Sequence, residues 1–149
     1  MSELELQPEA SWHEIFMDMA FSLARRSRDP STKVASILVS PDHRHLVTGF
    51  NGFAQGLPNR KDWWETRGLD VLGKDTLVRH AEENCFGNAR TDTTGWDMYV
   101  THQPCVRCAS LCVHNKLSKV FFRLDVKARY NPELARQILH QGKVQLIKA

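Results

Sequence analysis

The stretch Trp96-Asp-Met-Tyr-Val-Thr-His-Gln-Pro-Cys-Val-Arg-Cys-Ala-Ser-Leu-Cys-Val-His-Asn-Lys-Leu-Ser-Lys-Val-Phe-Phe-Arg123 decides the fold. Its aromatic and β-branched opening, Trp96–Thr101, reads as a strand. Pro104–Lys116 reads as a helix with proline near the first position, where a missing N–H is harmless, and Lys119–Arg123 reads as a second strand. Downstream, Asn131–His140 forms another helix closed by Gly142, followed by a short strand, Val144–Ile147. Upstream, His80 to about Arg90 is helical. Before it, two short apolar runs, Val34–Val39 and Leu46–Phe50, flank Pro41-Asp-His-Arg44 and predict a hairpin with His43 and His45 exposed. At the start, Trp12, Ile15, Phe16, Met19, Ala20 and Leu23 recur at the helical interval after the capping box Ser11-Trp-His-Glu14, predicting a helix over about 11–26 that ends before Asp29-Pro30. The order α-β-β-α-β-α-β-α-β predicts an α/β protein: a three-layer α/β/α sandwich whose five-stranded mixed sheet carries helices on both faces. Residues 1–149 are expected to form a single domain, with 1–10 a loose N-terminal extension.

Residues 51–77 hold Gly, Pro, Asn and the Trp63-Trp64 pair, and form too long a connection for a passive linker in a domain this size. They are expected to serve as a lid or an assembly surface, with the tryptophans packing there rather than stacking on a base. The chain has 149 residues, 42% hydrophobic and 25% charged, as an ordinary globular protein does. No apolar run reaches the ~18 residues of a membrane span. The start, Met1-Ser-Glu-Leu-Glu5, carries acids where a signal peptide carries bases, which predicts a cytoplasmic protein with no membrane partner. A net charge of +3 suits a small anionic ligand but lacks the basic blocks of a nucleic-acid binder. The cysteines at 85, 105, 108 and 112 are clustered, which in a reducing compartment points to metal or catalysis rather than disulfides.

Two fragments carry the chemistry: His80-Ala-Glu82 and Pro104-Cys105-Val-Arg-Cys108. Together they match the H-x-E…P-C-x-x-C signature of zinc nucleobase deaminases. In a chain of this composition the second fragment arises by chance only ~0.004 times. One imidazole (His80) and two thiolates (Cys105 and Cys108) would hold Zn²⁺ with a fourth position left for water, as catalytic zinc sites do. On an ideal helix His80 and Glu82 lie about 200° apart, so they share a site only if His80 stands at the very start of its helix. Two helix N-termini should then converge on the metal and favour the ionised cysteines. Glu82, not a ligand, is the candidate proton shuttle. Cys112 sits one turn beyond Cys108 and reads as a buried apolar residue, as does Cys85. His102 reads as a strand-end histidine without a metal role.

Arg26-Ser-Arg-Asp-Pro-Ser-Thr-Lys-Val34, Gly49-Phe-Asn-Gly52, His80-Ala-Glu-Glu-Asn84 and Gln103-Pro-Cys-Val-Arg-Cys-Ala109 resemble the deoxycytidylate (dCMP) deaminase family, in the family's order, and the likeness extends from about residue 12 to 147. The resemblance implies the cytidine deaminase-like fold, one catalytic zinc ion, a pyrimidine nucleotide as ligand, a homo-oligomer, and conversion of dCMP to dUMP and ammonia. It also implies that Asn51 bonds the sugar or phosphate, that the Ala81 N–H holds the pyrimidine carbonyl, and that the Gln103 carbonyl accepts the exocyclic amine. Arg26, Ser27 and Tyr130 match positions that contact the 5′-phosphate. The basic run 25–28 equally suits a solvated helix end, and Asn51-Gly52 is a common turn.

The chain departs from the family at Ala35, where a glycine is usual, and at Cys85, where alanine is usual. The loop after Gly52 lacks the P-x-G pattern. In regulated members that loop joins subunits and binds dCTP or dTTP, so the departure argues against allosteric control. With no Cys or His between Gly52 and His80, the second, structural zinc of some members is not expected either. Two other readings remain: a deaminase of bases in RNA or single-stranded DNA, resembling the tRNA adenosine deaminases, and a non-catalytic zinc fold.

Overall fold

The structure is a computed structural model that describes residues 6–149. Of the expected N-terminal extension, residues 6–10 are exposed and belong to no helix or strand, and residues 1–5 lie outside the described residues. The chain runs through α1 (Trp12–Ala24), β1 (Ala35–Val39), β2 (Leu46–Phe50), β3 (Gly52–Phe53), α2 (Lys61–Glu65), α3 (Lys74–Leu77) and β4 (Val78–Arg79). It continues through α4 (Ala81–Asn88), β5 (Asp97–His102), α5 (Val106–His114), β6 (Lys119–Leu124), a 3₁₀ turn (Ala128–Tyr130), α6 (Pro132–Gln141) and β7 (Gln145–Lys148). The main sheet has five strands in the order β2-β1-β5-β6-β7. β1 runs antiparallel to both neighbours, whereas β5, β6 and β7 are parallel, so α5 and α6 serve as the crossovers that parallel pairing requires.

Side-chain alternation along the strands builds a core on each face. Ile37, Val39, Tyr99 and Phe121 point toward α1, where they meet Phe16, Met17 and Ala20, and the Tyr99 and Phe121 rings stack at 4.6 Å. Leu38, Met98, Val100, Val120 and Phe122 point the other way, onto α4, α5 and α6, with Cys85 and Cys112 fully buried among them. Burial pushes the Cys85 thiol up to about 12, so it packs as a small neutral group. Because β1 is covered on both sides, Ala35–Val39 is an unbroken buried run. This is the expected three-layer mixed-sheet sandwich. Among the described residues no helix is long and apolar enough to cross a membrane.

The N-cap Ser11 accepts the Glu14 N–H at 3.1 Å, as its position in the capping box predicts. The buried stripe of α1 is rotated from the expected one: Phe16, Met17, Ala20 and Ala24 are covered, while Trp12 is 56% exposed. His43 is half-buried rather than exposed, its ring edge-on to Trp12 and Phe16 at 5.1 and 5.4 Å. The 51–77 connection contains the unforeseen helices α2 and α3, and it is closed by antiparallel pairing of β3 with β4. Trp64 is buried there, stacked on Phe53 at 4.0 Å, with its Nε1–H donated to Asn59.

Two glycines set close approaches between elements. Gly142 closes α6 as expected, with φ −82°, and the left-handed turn falls on the next residue, Lys143, at φ 60°. A Cβ at 142 would lie 2.4 Å from a Val113 methyl, so glycine is needed to seat α6 on α5. At Gly49 a Cβ would lie 2.5 Å from the Ala81 carbonyl oxygen and 2.5 Å from the Cys85 nitrogen, which brings β2 and α4 into backbone contact. Gly49→Ala is therefore expected to destabilise the protein by ~1–3 kcal/mol, because the clash is with backbone and no rotamer can relieve it. Urea unfolding measures this, and an unchanged midpoint would contradict the contact.

Candidate active site

The site lies where two helices begin. His80 is the N-cap of α4, with extended backbone (φ −73°, ψ 155°), and Cys105 is the N-cap of α5 (φ −72°, ψ 175°). Both side chains thus leave the chain before helical periodicity applies, which is how His80 shares a site with Glu82. The His80 Nδ1 lies 3.4 Å from the Cys105 Sγ and 3.4 Å from the Cys108 Sγ. All three donor atoms fall within 4.8 Å of one another, and this is the metal-type cluster found among the described residues. Zn–N and Zn–S bonds in a tetrahedron separate nitrogen and sulfur by about 3.6 Å, so the donors fit zinc. Cys112 is absent from the cluster, buried instead in the core between α5 and the sheet.

The chemistry of the donor set points the same way. Hydrogen bonding with Cys108, aided by His80, draws the Cys105 thiol down to about 4, while the same bond to Cys105, together with burial, pushes the Cys108 thiol upward. Two sulfurs this close ionise together only around a cation. Glu82, the second residue of α4, is 4% exposed, and burial pushes its carboxyl up to about 7 against the opposing pull of His80. A carboxyl poised there can both accept and return a proton near neutral pH.

Above these groups opens a pocket of about 230 Å³ with His80, Ala81, Glu82 and Cys105 at its base. Gln103 and Tyr130 also line it, as does Asn51. The Asn51 amide, however, is fully used inside the protein: Oδ1 accepts the Ser27 hydroxyl at 2.6 Å and the Val34 N–H at 3.0 Å, and Nδ2 donates to the Thr32 carbonyl and to Asp29. Its side chain holds the 27–34 bend that forms one wall. Gln103 is 2% exposed, with Nε2 donated to the Pro132 carbonyl at 2.9 Å. His102 also lines the pocket, its Nδ1 2.8 Å from the Thr101 hydroxyl and its pKa lowered by burial, outside the donor cluster.

Arg26 and Ser27 are not brought to this pocket. After α1 ends, the turn folds Ser27 inward to bond Asn51, leaving it 2% exposed, and Arg26 projects over a separate depression beside Phe50, Phe53 and Asn84. The cationic side chains that do line the pocket are Lys127 and Arg129, next to Tyr130, together with Lys74. Lys127-Ala-Arg129 was visible in the sequence as a basic pair beside Tyr130. Lys74 offered no local signal: its Nζ meets the Asp29 carboxylate at 3.1 Å across 45 positions of chain, both side chains at most 9% exposed.

A three-layer α/β/α fold with a His/Cys/Cys donor cluster beside a buried glutamate defines a metal-site deaminase-type protein. A sequence model described as the cytidine and deoxycytidylate deaminase zinc-binding region matches residues 10–124, and the chain belongs to this family. It is 34% identical over 116 residues to the deoxycytidylate deaminases of Homo sapiens and Pongo abelii, covering 76% of this chain and 65% of each relative. It is 35% identical over 113 residues to an uncharacterized deaminase of Aliivibrio fischeri, covering 75% of this chain and 72% of that one. In fold, it matches the crystal structure of the cyanophage S-TIM5 dCMP deaminase in complex with dCMP and dUMP, with a TM-score of 0.76, 20% identity, and coverage of 96% of this chain and 100% of that chain.

Proposed function

We propose that the protein is a zinc-dependent hydrolytic deaminase that converts dCMP and water to dUMP and ammonia. The observation that carries this reading is the His80, Cys105 and Cys108 cluster, of which His80 and Cys105 line the same pocket as buried Glu82. Relatives named deoxycytidylate deaminase support the choice of nucleotide. Zinc held by the His80 Nδ1 and the two cysteine sulfurs would supply the Lewis acidity that makes water a nucleophile at neutral pH. The Glu82 carboxylate takes the proton from that water and delivers it to the ring nitrogen N3 as the C4–O bond forms. It then carries the second proton to the amine, which leaves as ammonia when the C4–N bond breaks. The Ala81 N–H, in the first turn of α4 where no helical acceptor exists, donates to the pyrimidine carbonyl, and the Gln103 carbonyl accepts from the amine. Burial of Glu82 keeps bulk water from competing for the proton.

Lys127, Arg129 and Tyr130 take the 5′-phosphate, replacing Arg26 and Ser27 in that role, since a dianion needs cations that reach the pocket. The zinc-loaded protein should release ammonia from dCMP and much more slowly from deoxycytidine, cytidine and dCTP. Turnover of the unphosphorylated nucleosides alone would overturn the phosphate assignment. Turnover only of oligonucleotides would favour a base-in-strand substrate, and no ammonia from any of them would favour a non-catalytic zinc fold.

A further inference from the structure

Glu83 stands between the two helices that carry the candidate ligands. It is the third residue of α4 and is 8% exposed. Its Oε1 accepts the backbone N–H of His80 at 3.2 Å, and its Oε2 pairs with the Arg107 guanidinium at 3.1 Å. Arg107 lies in the first turn of α5, between Cys105 and Cys108. One carboxylate therefore touches the ligating histidine's backbone with one oxygen and the cysteine-bearing turn with the other.

We infer that Glu83 is a positioning residue that sets the spacing between His80 and the Cys105–Cys108 turn by bridging the starts of α4 and α5. This rests on the zinc reading given above. His80 and Cys105 are N-caps, so the helical hydrogen-bond ladder does not hold their N–H groups. Metal binding tolerates only about 0.2 Å of error in ligand distances, which makes an external tie on the His80 backbone consequential. A carboxylate buried this deeply is retained when both oxygens are engaged by charge-assisted or backbone donors, as they are here. A leucine at 83 would keep the helix and the burial but lose both ties.

Zinc release from the loaded protein into excess chelator tests this, alongside kcat and KM for dCMP. Glu83→Leu should release zinc ~10-fold or more faster, the scale seen when groups supporting metal ligands are removed. Glu83→Gln, which can still accept the His80 N–H, should return the rate to within about threefold of the parent. Arg107→Glu, at a side chain 75% exposed where folding is not at stake, should speed release about threefold, and that effect should vanish in the Glu83→Gln background. Loss should fall on zinc retention and kcat more than on KM. Parent-like release rates in both Glu83→Leu and Arg107→Glu would overturn the inference while leaving the zinc site standing. A parent that holds no zinc would overturn both.

Discussion

Glu82→Gln is expected to leave the protein folded and metal-loaded while lowering kcat on dCMP by ~10³-fold or more. Glutamine is nearly isosteric, so the 4% exposed position stays filled and α4 keeps its start. It cannot take a proton from water or return one to the amine, and both transfers in the proposed reaction pass through this one side chain. Because the side chain is no metal ligand, zinc content should match the parent. Steady-state kinetics with metal analysis of the same sample checks this. A variant retaining more than about a tenth of the parent kcat would remove Glu82 from the mechanism, since general acid–base groups contribute 10²–10⁴-fold.

Lys74→Met should cost ~3–5 kcal/mol, because it strands the Asp29 carboxylate at 2% side-chain exposure without its cation. That is a large share of the ~5–15 kcal/mol that holds a domain together, and it predicts a fall in Tm of roughly 10 °C. Methionine keeps most of the volume beside Trp64, which Lys74 now covers at 5.8 Å, so the loss isolates the charge. Asp29 also receives the Ser31 and Thr32 N–H groups and Asn51 Nδ2, so its discomfort spreads to the pocket wall. Adding Asp29→Asn to Lys74→Met should recover part of the loss, since the buried charge disappears and the one remaining oxygen can still accept the Ser31 and Thr32 N–H groups, while Asn51 Nδ2 loses its acceptor there. Thermal unfolding of the single and double variants measures the coupling. An unperturbed Tm in Lys74→Met would show that the pair contributes nothing.

The regular elements were legible because each is specified within a few residues. The Ser11 cap, the short apolar run through Ala35–Val39 and the proline before Cys105 announce their helix or strand locally. The buried face of α1 differs from the expected one because hydrophobic spacing defines a stripe wider than the strip the sheet covers, and Trp12 and Met19 fall at its edge. The small helices α2 and α3 escaped notice because elements of five and four residues carry too little periodicity to register. The family resemblance places Arg26 and Ser27 at the phosphate. The turn after Ala24 instead buries Ser27 against Asn51 and sets Arg26 over a separate depression, so neither lines the pocket above His80 and Glu82.

What could be read from residue order was the layered α/β plan and the trio His80, Cys105 and Cys108 with Glu82, since each half of the site is set by a helix cap and short-range spacing and the H-x-E…P-C-x-x-C signature joins the halves. Only the folded arrangement showed which cations reach the pocket, that the Asn51 amide is spent on the 27–34 bend, and that Lys74 locks onto Asp29. Those outcomes depend on the approach of segments tens of residues apart, governed by packing and burial. Neighbouring residues carry no trace of which distant surface they will meet.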